Sequence, residues 1–131
     1  MNIGEASKAS KVSAKMIRYY EQIGLIPPAD RTDSGYRAYT QDDVHRLHFI
    51  RRSRDLGFSL EEIRGLLDLW QDRTRSSREV KALAQQHLDF LDQKLQKIQS
   101  MKHALTHLVD CCQGDERPDC PILDSLAGDG A

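Results

Sequence analysis

Cys111, Cys112 and Cys120 are the only cysteines of the chain and lie within ten residues, in the stretch CCQGDERPDCP. The N-terminus, MNIGEASKAS, lacks the apolar run of a secretory signal, so the expected compartment is the cytoplasm. In a reducing compartment, three clustered cysteines point to metal or redox chemistry rather than to a disulfide framework. Two other groups could do chemistry. His103 and His107 are four residues apart and share a helix face, but no cysteine or carboxylate joins them in a recognisable motif, so they read as a solvated face. His87 reads as a packed polar residue. Paired catalytic carboxylates, a nucleophile with its base and a phosphate-binding glycine loop are all missing, so no enzyme is expected.

The elements that would position these groups are helical. With 39% hydrophobic and 30% charged residues, the chain can build apolar stripes but only a thin core, which suits long amphipathic helices. No window approaches 18 consecutive apolar residues, so no membrane partner is expected. Net charge is −1, but residues 1–58 carry ten Lys/Arg against seven Asp/Glu, and the remainder nine against thirteen. A basic front and an acidic back suit a nucleic-acid module followed by something else. Capping boxes fit Asn2–Glu5, Ser59–Glu62 and Ser76–Glu79, with a weaker one at Thr40–Asp43 and a plain cap at Ser13; each marks a helix start. Gly24 and Gly57 mark ends, and Pro27-Pro28 stops the second helix. Two short helices separated by a few residues form a helix-turn-helix, with SAKMIRYYEQIG as its recognition element. In LIPPADRTDSGYRAY two short strands meet at a turn around Gly35, giving a small hairpin and hence a winged helix.

From Ser76 to about Cys111 there is no Pro or Gly. Val80, Ala84, His87, Leu91, Lys94, Ile98, Met101, Leu105 and Leu108 recur at alternating steps of four and three, a heptad seam with polar interruptions at His87 and Lys94. A helix of this length, roughly 50 Å, cannot bury its seam on a domain of about 70 residues, so a second copy of the chain is the expected partner. The predicted organisation is mainly α: a winged helix-turn-helix DNA-binding domain over 1–70, a long antiparallel coiled-coil dimerisation helix over 76–111, and a metal-binding loop with a short C-terminal helix over 112–131.

MIRYYEQIGLIPP, DSGYRAYTQDDVHRLHFI and DLGFSLEEI resemble the DNA-binding domain of the MerR family of bacterial transcription regulators, and the resemblance covers essentially the whole chain. It implies DNA contacts from Lys15, Arg18 and Tyr20 on the recognition helix and from Arg31, Tyr36 and Arg37 on the wing, with Arg54 near the backbone. Such side chains neutralise phosphates, donate to them or read guanine edges. Tyr19 is expected in the core. The C-x7-C-P-I pattern of Cys112 and Cys120 is similar to that of the family's copper-, silver- and gold-responsive branch.

That likeness makes Cys112 and Cys120 the implied ligands of a Cu(I), Ag(I) or Au(I) ion. Eight residue steps reach at most roughly 28 Å, so the loop can close, and Gly114 and Pro118 help it turn. Two thiolates without a third ligand suit a soft monovalent ion better than zinc, which normally takes four. The family's divalent sensors carry a further cysteine where this chain has Ser77, and Lys81 one turn on is the expected compensator of the site's negative charge. Cys111 is expected as a small packed hydrophobe at the helix end. The resemblance further implies a homodimer acting with RNA polymerase, and activation of copper-efflux and homeostasis promoters by bending and untwisting an overlong spacer. PILDSLAG (121–128) would dock Ile122, Leu123 and Leu126 on the dimer scaffold. The alternative reading keeps the DNA-binding fold and makes the cysteines a thiol redox switch.

Overall fold

The computed structural model describes residues 1–31, 35 and 37–128. Its elements in order are α1 (Ile3–Ser10), α2 (Ala14–Gln22), β1 (Asp30–Arg31), β2 (Arg37–Ala38), α3 (Gln41–Asp55), α4 (Leu60–Gln71), α5 (Ser77–Cys111) and α6 (Pro121–Leu126). They divide into two compact units, Met1–Val80 and the part from Lys81 onward. Among the described residues no helix is long and apolar enough to cross a membrane.

The helices begin where local chemistry dictates. Asn2, Thr40 and Ser59 each accept a hydrogen bond from the backbone of Glu5, Asp43 and Glu62, and each of those carboxylates accepts in return from the cap backbone. Two otherwise orphaned donors are satisfied at each start. The Ser13 hydroxyl caps α2 by accepting from Met16 N at 3.2 Å. Gly24 and Gly57 follow α2 and α3 with φ of 73° and 89°, a region open to glycine at little cost. Between α1 and α2 the left-handed position falls instead on Lys11, with φ of 61°. The Arg51 guanidinium of α3 donates to the Lys11 carbonyl and ties that turn down.

The first unit is built on one core. Ile17, Ile26, Leu47, Ile50 and Ile63 are fully enclosed, with Tyr20, Leu25, Tyr39 and Leu67 packed around them. The buried Ser10 hydroxyl donates to Ala6 O at 2.7 Å and accepts from Val12 N at 3.3 Å, so its polarity is satisfied within the turn it stabilises. Arg64 of α4 forks onto the end of α2, donating from Nη1 to Gly24 O and from Nη2 to Ile23 O, both at 2.9 Å. A guanidinium is well shaped to bind the carbonyls that a helix end leaves over.

Among the described residues the hairpin pairs Asp30 with Ala38 and Arg31 with Arg37, too few residues to stand alone. Tyr39 anchors it. Its N–H donates to Met1 O at 2.7 Å, and the Met1 ammonium donates to Tyr39 O at 2.8 Å. Its side chain, 3% exposed, donates from the hydroxyl to Glu21 Oε1 on α2. Burial, followed by the bond to Glu21, pushes the Tyr39 pKa up to about 12, against an opposing pull from Arg37.

This raised value fixes the sign of the alkaline response. The folded state holds the Tyr39 proton more tightly than the unfolded state, whose phenol ionises near pH 10. The resulting stability is fully present below pH 10 and is lost as pH rises through about 12. Tyr39→Phe removes the donor to Glu21 and is expected to cost about 1–2 kcal/mol at neutral pH. In denaturant titrations at stepped pH, the variant should lose less stability than the parent between pH 10 and about 12.

Candidate nucleic-acid interface and thiol loop

The recognition helix has two faces with different tasks. Ile17 and Tyr20 are buried, and Met16 and Ile23 pack beside them. Lys15, Arg18, Tyr19 and Gln22 are exposed, at relative positions 0, 3, 4 and 7 along one face. The two tyrosines therefore exchange their expected places. Tyr20, expected on the DNA side, is 5% exposed, and Tyr19, expected in the core, is 42% exposed. The reason is helical phase: Tyr20 lies one turn beyond Ile17, whereas Tyr19 lies one turn beyond Lys15. Burial raises the pKa of the Tyr20 hydroxyl; neighbouring Arg54 opposes that shift and Tyr19 adds to it.

The remaining expected contact residues fall in varied settings. Arg31 is exposed, and its Nη1 donates to Gly35 O at 3.0 Å. Arg37 is half-buried, with Nε 3.7 Å from Glu21 Oε2. Arg54 is exposed on α3. Tyr36 lies outside the described residues, as do residues 32–34. Glu21, Arg51 and Arg64, which join the hairpin, the turn and α4 to the helix-turn-helix, were not expected as site residues. Arg51 and Arg64 reach carbonyls 40 and 41 residues away in sequence, a distance over which spacing carries no signal.

The cysteines sit at helix ends. Cys111 is the last residue of α5, and Cys112 follows it with its N–H donating to Leu108 O at 3.1 Å. Cys120 occupies the cap position of α6 but makes no side-chain capping bond, and Pro121 opens the helix. Between them Gly114 turns the chain with φ of 65°. Asp115 accepts from Arg117 N at 3.0 Å and pairs with its Nε at 3.5 Å. All three cysteines are free thiols; Cys112 and Cys120 are half-buried and Cys111 is exposed. Cys111 is thus not the packed hydrophobe expected. Its Sγ lies 3.8 Å from His107 Nε2, and His103 and His107 are both exposed, as the solvated-face reading expects. Ser77 opens α5, and Lys81 is exposed one turn on. Among the described residues no group of three or more His, Cys, Asp or Glu is gathered to hold a metal. Two thiols as a donor set would suit a two-coordinate soft ion, whereas a zinc ion there would need water or further ligands to complete four positions.

Residues 1–70 match the family model "MerR HTH family regulatory protein", and residues 44–108 match "MerR, DNA binding". The chain is 60% identical over 131 residues to heavy metal-dependent transcription regulator 2 of Rhizobium meliloti strain 1021, covering 100% of this chain and 89% of that protein. It is 38% identical over 128 residues to the HTH-type transcriptional regulator CueR of Escherichia coli O157:H7, covering 98% and 95% of the two chains. Among solved structures it is similar to the transcription regulator PbrR691 of Ralstonia metallidurans CH34 in complex with lead(II). The TM-score there is 0.83 at 33% identity, over 96% of this chain and 98% of the other.

The two faces of α2 make separable predictions. Arg18→Ala and Tyr19→Ala should weaken binding to duplex DNA while leaving the melting temperature almost unchanged. Arg18→Ala should also lower the slope of log K against log salt by about one. Tyr20→Ala should instead cost about 3–5 kcal/mol of stability, through the core volume it vacates.

Proposed function

Because the chain belongs to the MerR family of DNA-binding transcription regulators, which are not enzymes, we propose that it is a cytoplasmic sensor of Cu(I)-class ions that activates copper-efflux promoters. Ag(I) and Au(I) are alternative ligands. The observation that carries this reading is the thiol loop. Cys112 and Cys120 are free, half-buried and uncommitted to capping, and no third donor is gathered with them among the described residues. They would hold the ion by its two thiolates, and the ion's contribution is two strong bonds to sulfur that close the loop. The relatives named for heavy metals support a metal signal.

The DNA reader in this proposal is α2 with the hairpin. Lys15, Arg18, Tyr19, Arg31 and Arg37 make the contacts, Arg54 lies toward the backbone, and Tyr36 keeps the part that the family pattern implies. A second copy of the chain covers α5. Nine large apolar residues between Leu83 and Val109 are 37% to 55% exposed in the single chain, and a stripe this broad is typical of a face that packs on another helix. A two-fold dimer would then present two α2 helices to two half-sites. Ser77 and Lys81 would face the loop of the other subunit, the serine refusing divalent ions and the lysine offsetting the charge left by two thiolates.

The switch needs an element whose two positions differ in metal affinity, since a ligand shifts an equilibrium only by that difference. α6 is this element. Leu123 and Leu126 are 64% and 75% exposed, and closing the loop docks them, with Ile122, on the dimer scaffold. The docked dimer bends and untwists the promoter spacer so that RNA polymerase can engage both elements. The deformation costs several kcal/mol, about what a multi-contact dimer can supply.

Anaerobic run-off transcription on a promoter fragment selected by the purified protein tests this reading. Cu(I) or Ag(I) should activate the parent and Cys111→Ser alike. Cys112→Ser and Cys120→Ser should bind the fragment yet give no metal response, and Ser77→Cys should gain a response to Zn(II). Activation by an oxidant in the absence of metal would overturn the proposal in favour of a thiol redox switch.

A further inference from the structure

The last two turns of α5 carry a sulfur–nitrogen pair that the loop does not use. Cys111 Sγ and His107 Nε2 are 3.8 Å apart, and both residues are exposed. They stand four positions apart on a 35-residue helix, so the backbone holds them as neighbours on one face, and their rotamers bring sulfur to nitrogen. We propose that His107 and Cys111 form a second metal site, a bidentate chelate for a borderline divalent cation of the Zn(II) class.

The separation argues for the class of ion. With metal–sulfur and metal–nitrogen bonds of about 2.3 and 2.05 Å, a tetrahedral angle places sulfur and nitrogen about 3.6 Å apart, and a linear arrangement about 4.4 Å apart. The observed 3.8 Å is a sulfur–nitrogen hydrogen-bond contact, and the bent arrangement is reached from it by a smaller shift than the linear one. A thiolate with an imidazole is also the mixed donor set that zinc favours. Because the chelate is bent, the ion's other positions are left to water.

The surroundings favour a cation independently. The pair sits at the C-terminal end of α5, where unpaired carbonyls give the helix its negative pole. Asp110 lies in the same last turn, which contains no Lys or Arg. His103 stands one turn further back on the same face, though the three are not gathered as a ready-made site. The site uses neither Cys112 nor Cys120, so it can fill without closing the loop. Its validity does not depend on which ion the loop senses.

Zn(II) alone, added anaerobically to the reduced full-length protein in competition with a chromophoric chelator, tests the assignment. In the Cys112→Ser/Cys120→Ser background the chain should still take up one Zn(II). Adding His107→Ala should weaken that uptake by about tenfold or more, the gain expected from tethering a second ligand beside the first. Adding Cys111→Ser instead should abolish it. The imidazole resonances of His107 should shift as the first equivalent of Zn(II) is added. The absence of Zn(II) uptake in the double-serine background would overturn the proposal. So would an affinity unchanged by His107→Ala, which would mark Cys111 as a solitary thiol.

Discussion

A 35-residue helix whose apolar side chains lie open in the single chain is the constraint from which the rest of the organisation follows. Nine large residues, each about half exposed, leave roughly 1 kcal/mol apiece of unrealised burial, or about 10 kcal/mol per chain. This is comparable to the whole stability of a small domain. The stripe is also wider than a two-position seam. Leu91, Ile98 and Leu105 lie on the heptad read from the sequence, while Leu88, Leu95 and Val109 flank it. Lys94 does not interrupt the apolar surface as its charge suggests, because its ammonium lies 5.1 Å from the centre of the Phe90 ring. Its stem can cover apolar surface while its head stays in water. His87, the other polar interruption, is buried at 6% exposure.

The DNA-facing unit solves a different problem, that of holding a short recognition helix still. α2 has nine residues, too few to be stable alone in water. Ile17 and Tyr20 seat it in the core, Ser13 caps its start and Arg64 closes its end. Every one of these contacts uses the inner face or the termini, and the outer face of Lys15, Arg18, Tyr19 and Gln22 is exposed, with Tyr19 touching the core only through its tilted contact with the Tyr20 ring. That separation is what allows surface residues to be committed to a ligand without weakening the fold.

The sequence was legible where the physics is local. Helix starts at Asn2, Ser13, Thr40 and Ser59 each depend on a side chain within three residues of its partner, and the structure has all four; at the fifth, Ser76 meets Glu79 N through its carbonyl, at 3.3 Å, and not through the expected capping box. The left-handed glycines at 24 and 57 are local in the same sense. The Tyr19–Tyr20 exchange was within reach of the same reasoning. Lys15, Arg18 and Gln22 already define a polar face by spacing, and only one of two adjacent tyrosines can join it. The pairing of His107 with Cys111 was visible as a four-residue interval, but its meaning depends on rotamers that bring sulfur to nitrogen. Contacts spanning forty residues, such as those of Arg51 and Arg64, were not legible at all, because tertiary packing alone brings their partners together.

The junction of Glu21, Arg37 and Tyr39 shows how such a non-local contact can matter for binding. Glu21 has a side chain only 8% exposed and serves two donors of unequal strength. Its bond from the Tyr39 hydroxyl is enclosed and holds the hairpin to α2. Its pairing with Arg37 is long, at 3.7 Å, and the arginine is 35% exposed, so that interaction is worth at most about 1 kcal/mol. A charge-assisted bond from Arg37 to a phosphate is stronger than this. Under the proposed reading Arg37 would exchange its long pairing with Glu21 for a phosphate, while the carboxylate keeps Tyr39 as its donor. In that reading the weaker of the two bonds would orient the arginine before contact, and the stronger one would keep the hairpin on α2.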